Sequence, residues 1–264
     1  MAELAARGLS GLPEVVLGAD LAELIAARLD AELPPRPLRD GQIVAIAHKV
    51  VSKAEGATVD LATIEPSPRA VELAAGATGG GGEGKDPRAI QVVLDQSAEI
   101  LRAERGVIVC RTHHGFVCAN AGVDASNSAG VGGTDTLVVL PRDPDASARR
   151  IRARLRELTG ASVAVLVTDS FGRAWRHGQC DIAIGCAGMS PLDDWRGRAD
   201  SSGRKLRATW LAVADAVAAT ADLARAKDSR EPVVIVEGLE RFVTEEDGPG
   251  AAALVRPLEE DLFR

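Results

Sequence analysis

The sequence predicts a mixed α/β fold of the α+β kind, built as one domain of two interleaved lobes over residues 1–264. Three observations carry that expectation. Short apolar runs ("GQIVAIA", "GVIVC", "TLVVLP", "SVAVLVTD", "PVVIVEGL") have the length and β-branched content of buried strands. Between them lie segments with helical spacing, several opened by Asp or Ser with Pro at the first helical position. No Pro/Ser linker and no repeat divides the chain. No Walker A loop occurs and no GxGxxG follows an apolar strand run, which sets the chain apart from Rossmann and P-loop folds.

In chain order, "LGADLAELIAARLDAEL" (17–33) reads as a helix stopped by "PPRP". "GQIVAIAHKVVSKAEGATV" (41–59) reads as a buried strand running into a polar loop. "SPRAVELAA" and "DPRAIQVVLDQSAEILRA" read as capped helices, and the Gly-rich "GATGGGGEGK" (76–85) as the loop between them. The stretch "THHGFVCANAGVDASNSAGVGGTD" (112–135) connects two strands. "DPDASARRIRARLRELTG" (143–160) has the form of a capped amphipathic helix with its arginines on the solvated face. "SVAVLVTD" reads as a strand ending at Asp169, and "DIAIGCAGM" as a short strand. "KLRATWLAVADAVAATADLARA" reads as helix beyond Thr209, and "PVVIVEGL" as the last buried strand.

Composition bounds the function. The net charge is −7, which argues against a general nucleic-acid surface. No run approaches the roughly 20 apolar residues needed to span a bilayer, and the first residues lack a secretory pattern. Cys110, Cys118, Cys180 and Cys186 show no CxxC spacing, so free thiols in a cytoplasmic protein are expected.

Several motifs have chemical potential. Lys49 and Lys53 bracket Ser52 just after a buried strand, and two ammonium groups there suit phosphate; two solvated lysines are the plainer alternative. Asp124 and Asn127 lie in a Gly-flanked loop. Asp169 and Ser170 lie where open α/β sheets collect ligands, at the carboxyl end of a strand. Two carboxylates and a hydroxyl are the hard oxygen donors that Mg²⁺ or Mn²⁺ prefers, although Asp and Ser also cap helices. Adjacent residues on a strand face opposite sides, so His113 and His114 do not easily share a ligand and read as a turn near a site. Arg173, Arg176 and His177 form a cationic cluster suited either to an anionic substrate or to surface ion pairs.

Taken in order, "GLPEV", "VVSKAEG", "AGVDASN", "DPDASA", "VTDSFGRAWRHGQ", "VADAVAATADL" and "PVVIVEGL" resemble the coenzyme F420-0:L-glutamate ligase family over roughly residues 11–263. The resemblance is to the free-standing form and equally to the amino-terminal domain of the family's actinobacterial two-domain form. The resemblance implies a GTP-dependent amide ligase that couples coenzyme F420-0 to L-glutamate and then adds further γ-linked glutamate. It implies a homodimer without nucleic-acid or membrane partners, and two divalent ions, Mg²⁺ or Mn²⁺, with room for K⁺. It places the nucleotide at Leu12, Pro13, Glu14, Val15, His48, Lys49, Lys53 and Asn127, with Lys227 and Asp228 in a loop (about 225–231) closing over the phosphates. It places the metals at Asp124, Asp169 and Ser170, and the catalytic work on Asp124, Asp169 and Lys53. Against the family pattern, Ser170 stands for Thr, His48 for a Ser position, and Ala216 for Glu. Other readings share these residues: a relative ligating another carboxylate, a non-catalytic GTP-binding relative, and a metal-dependent phosphohydrolase.

Overall fold

The computed structural model describes residues 3–76, 85–124 and 135–261. The loop expected within 76–85 therefore lies largely outside the described residues, as does Asn127. In chain order the strands and α-helices are β1 (Ala5–Gly8), α1 (Leu21–Asp30), β2 (Ile43–Ala47), α2 (His48–Glu55), β3 (Thr58–Asp60), α3 (Pro68–Gly76), α4 (Pro87–Asp95), β4 (Ser97–Glu104), β5 (Val107–Thr112), β6 (Val117–Ala119) and β7 (Thr136–Val138). They continue with α5 (Pro144–Thr159), β8 (Ala164–Arg173), β9 (Arg176–Ala187), β10 (Leu192–Asp194), β11 (Trp210–Ala212), α6 (Val213–Leu223) and β12 (Val233–Glu237). This is the mixed α+β architecture the sequence predicts.

The central sheet has the order β1-β12-β2-β8-β9. Its single parallel pair is β2 with β8, running from Ile43 opposite Ala164 to Ala47 opposite Thr168. Alternation of side chains gives the sheet two apolar faces. Val44, Ile46, Val165 and Val167 pack with Ile25 and Leu29 of α1, Val51 of α2 and Leu155 of α5. Ile43, Ala45, Ala164 and Leu166 pack with Val213, Ala214, Val217 and Ala221 of α6. With so few aromatics, the core is close-packed aliphatic surface, whose burial contributes about 25 cal/mol per Å². Between β2 and β8 the chain makes an excursion. There β3 pairs with β7, β4, β5 and β6 form a second small sheet, and α3 and α4 pack on Ile108 and Cys110.

The structure corrects several local expectations. Of the α5 arginines expected on the solvated face, Arg152 is buried, donating to the Val163 carbonyl at 2.9 Å and to Asp247 Oδ1 at 2.7 Å. Residues 48–55 are helix α2 rather than a polar loop: Val51 reaches the core, and Gly56 closes the helix at φ 73° with its N–H on the carbonyls of Lys53 and Ser52. The helix starting at Pro87 stops at Asp95, because "SAEILRAE" finds a ladder partner in β5 and tertiary pairing overrides local propensity. Trp210–Ala212 is a strand against Leu192–Asp194, so helix begins only at Val213. Asp169 lies within β8, not at its end, because β8 and β9 continue as a hairpin beyond the point where β2 turns into α2.

Candidate active site

Helix α2 leaves the sheet directly from the carboxyl end of β2, and its N-cap Ala47 offers no side-chain cap. The first N–H groups and the positive end of the helix therefore face the mouth of the β2–β8 pair, an arrangement suited to anions. Beside that mouth β8 has lost β2 as a neighbour, so Asp169 and Ser170 project from a strand held only by β9.

Three side chains of α2 reach three other segments of the chain. His48, 2 % exposed, places Nε2 3.3 Å from Asp169 Oδ1. Lys49 Nζ lies 2.6 Å from Asp124 Oδ2. Lys53, 6 % exposed, donates from Nζ to Glu14 Oε1 at 2.5 Å. The Leu12–Val15 segment, the "AGVD" turn and β8 are thus gathered around one helix. Within Leu12–Val15 the side chain of Val15 is core, while Glu14 points outward to Lys53. Any contact of Val15 with a ligand runs through its backbone.

A second network anchors Ser170. The register of the β8–β9 hairpin sets Asp181 opposite Ser170. Asp181, 1 % exposed, accepts from Ser170 Oγ at 2.5 Å and from Thr168 Oγ1 at 2.9 Å, and is bound by the Arg225 guanidinium. Arg225 also donates to Thr168 Oγ1 at 3.0 Å and to the Pro232 carbonyl at 3.2 Å. Lys227 donates to Ser170 Oγ at 2.6 Å and sits 3.4 Å from Asp222. Asp228 is exposed on the same loop. A buried carboxylate satisfied by two hydroxyls and a guanidinium is a rigid base for that loop. Asp181 did not stand out in the sequence. The signal that marks it is an acid opening an otherwise apolar strand, legible once the "GRAWRHG" turn pairs residue 170 with 181.

The fit of the site to a divalent cation is read from its donors. Asp124, Asp169 and Ser170 are hard oxygen donors, and ammonium groups already lie against Asp124 and Ser170. Among the described residues no three His, Cys, Asp or Glu side chains gather closely enough to hold a metal by themselves. Mg²⁺-type sites commonly take only one or two carboxylates and complete their shell with waters and substrate phosphates, so the donors fit such an ion.

The histidine pair sits in the turn between β5 and β6. His113 is exposed with Nε2 3.0 Å from the Asp95 carbonyl. His114 stacks on Phe116 and contacts the Pro141 carbonyl at 2.9 Å. Their contacts are to backbone carbonyls, and they hold loops together. Arg173, Arg176 and His177 lie at the exposed tip of the β8–β9 hairpin, where Arg173 donates to the His177 carbonyl at 2.6 Å. All four cysteines are free. Among the described residues no helix is long and apolar enough to cross a membrane.

An α+β chain that gathers carboxylates, a hydroxyl and lysines beside an uncapped helix N-terminus has the donors and acceptors suited to anions and hard cations. Comparison with known proteins gives the family. The model for F420-0:Gamma-glutamyl ligase matches residues 11–238, and the chain belongs to that family. It is 43% identical to the coenzyme F420:L-glutamate ligase of Methanothermobacter thermautotrophicus over 259 residues, covering 97% of both chains. It is also 43% identical to that of Methanopyrus kandleri (94% of this chain, 92% of the relative) and 42% identical to that of Methanocaldococcus jannaschii (86% of each).

Proposed function

We propose that this protein is a coenzyme F420-0:L-glutamate ligase that uses GTP to activate the terminal carboxylate of F420-0 and joins it to the amino group of L-glutamate, then extends the product with γ-linked glutamate. Family membership and near full-length relatives of that name support the ligase reading. The observation that carries the finer reading is the reach of one helix, α2, to Glu14, Asp124 and Asp169. Those contacts gather carboxylates and lysines of the kinds that phosphoryl transfer to a carboxylate uses, which supports the reading.

A carboxylate is a poor electrophile. Transfer of the γ-phosphoryl group of GTP gives an acyl phosphate and GDP, and attack by the glutamate amine then forms the amide and releases phosphate. Such transfer depends mostly on positioning and charge neutralisation. In this reading Lys49, Lys53 and the N–H groups at the start of α2 bind the phosphates, with Glu14 holding Lys53 in place. Asp124, Asp169 and Ser170 would hold Mg²⁺ or Mn²⁺, with K⁺ as an accessory ion, and a bound divalent ion would supply neutralisation of charge on the phosphoryl oxygens. Lys227 and Asp228 close from the opposite side on the loop pinned by Arg225. The enzyme acts in the cytoplasm as a homodimer.

The test is product mass. Purified protein with F420-0, glutamate, GTP and Mn²⁺ is expected to give F420 species heavier by one or more glutamate residues, with stoichiometric GDP. At about 4 Å and an effective dielectric near 20, each unlike charge pair is worth about 4 kcal/mol. Asp169→Ala and Asp124→Ala are therefore expected to lose several decades of rate while keeping the wild-type circular dichroism. Near-normal turnover in folded Asp169→Ala overturns the metal assignment. GTP cleavage indifferent to glutamate points instead to a phosphohydrolase.

A further inference from the structure

We propose that His48 is a nitrogen ligand to the divalent cation held by Asp169, making this a mixed nitrogen and oxygen site that favours Mn²⁺ over Mg²⁺. The inference rests on the metal-dependent ligase reading and extends its donor set by one residue.

Three observations carry it. The His48 ring is 2 % exposed, yet its Nε2 has no hydrogen-bond partner, and an orphaned buried nitrogen costs about 1–3 kcal/mol unless something occupies it. That nitrogen lies 3.3 Å from Asp169 Oδ1 but off the line of a hydrogen bond to it. A cation about 2.1 Å from both atoms would see them at an angle of about 100°, between the octahedral and tetrahedral values. The other ring nitrogen, Nδ1, faces Ser52 Oγ at 3.4 Å. Ligating histidines commonly use their second nitrogen in this way, donating to a neighbouring oxygen and leaving the lone pair of the first for the metal.

The chemical consequence is selectivity. Carboxylate and hydroxyl oxygens alone suit Mg²⁺, whereas an imidazole nitrogen adds affinity for ions further along the first-row series and little for Mg²⁺. The second protein donor is supplied from the first turn of α2, so binding the cation also fixes the helix that carries Lys49 and Lys53.

Pulsed electron paramagnetic resonance of the Mn²⁺-loaded protein, with and without GTP, tests this directly. The expected result is ¹⁴N modulation from a coordinated imidazole. It should change to the ¹⁵N pattern in protein labelled with ¹⁵N-histidine and vanish in His48→Ser. The Mn²⁺ affinity of folded His48→Ser should fall by about tenfold, with Mg²⁺ affinity changed less than about twofold. Because the isotope experiment uses the wild-type chain, a poorly folded variant does not weaken it. Bound Mn²⁺ without nitrogen coupling overturns the His48 assignment and leaves the metal-dependent ligase standing. No Mn²⁺ binding even with GTP overturns both.

Discussion

Asp181 shows how far a single buried charge can organise a site. Its carboxylate lies between β8 and the loop after α6, and every contact recorded for it is to a hydroxyl or a guanidinium. Removing one partner of a buried ion pair typically costs about 3–5 kcal/mol, because the other charge is left uncompensated. Asp181→Asn, which strands Arg225, is therefore expected to lose about 3 kcal/mol in urea denaturation. Arg225→Met combined with Asp181→Asn should recover part of that loss. The single variant should also lower kcat more than the urea midpoint alone explains, since Ser170 and Lys227 hang from the same carboxylate. A loss under about 1 kcal/mol, or no coupling in the double variant, refutes the anchoring role. Residue identity alone made Asp124, Asp169, Ser170 and the lysines stand out, because acids and hydroxyls beside strand ends carry recognisable chemistry. Asp181 is silent in one dimension: its meaning depends on the hairpin register that sets it across from Ser170.

At the scale of elements, the legible features were the runs with one strong period. Residues 143–160 read as a helix and form α5, with Asp143 accepting from the Ala146 N–H and Gly160 closing the end at φ 74°. The failures share a cause. "HKVVSKAE" is short and lacks a capping side chain, and "SAEILRAE" continues a helical run without a breaker, so the outcome was settled by what each packs against: core apolar surface for Val51, the β5 ladder for residues 97–104. Close packing of α5 on β9 is similarly invisible until the elements meet. A Cβ on Gly185 would lie 2.3 Å from the Pro144 carbonyl oxygen, at the first turn of α5. Backbone cannot yield there as a flexible side chain would, so Gly185→Ala must push α5 off the sheet. The expected cost is about 3 kcal/mol or more, read as a fall in urea midpoint with unchanged slope. Asp145 sharpens the point, since its Oδ1 accepts from Cys186 N–H at 2.8 Å and Ala251 N–H at 2.7 Å. Wild-type stability in Gly185→Ala would mean that α5 shifts freely on β9.

The whole molecule carries its own reporters of cooperativity. Cys110 is buried in the cluster of α3 and α4, Cys118 on the α5 face of the central sheet, and Cys186 on the α6 face. Burial pushes the Cys118 and Cys186 thiols up to about 12, so very little thiolate exists at pH 8 in the folded state. Cys180, close to the exposed tip of the β8–β9 hairpin, is only partly buried. Brief alkylation of native protein at pH 8 is therefore expected to modify Cys180 first, with Cys118 and Cys186 slowed by about a thousandfold and Cys110 shielded by its complete burial. In unfolded chain all four recover ordinary reactivity, so labelling of the buried three at rising urea measures opening of each cluster separately. If the excursion from β3 to β7 and the central sheet form one cooperative unit, the three opening free energies converge on the global value. Mass spectrometry of the labelled peptides reads each site. Early loss of protection at Cys110, with Cys118 and Cys186 still closed, would divide the chain into two separately melting lobes. Convergence makes them one domain, with α2, pinned to both through Asp124 and Asp169, at the seam.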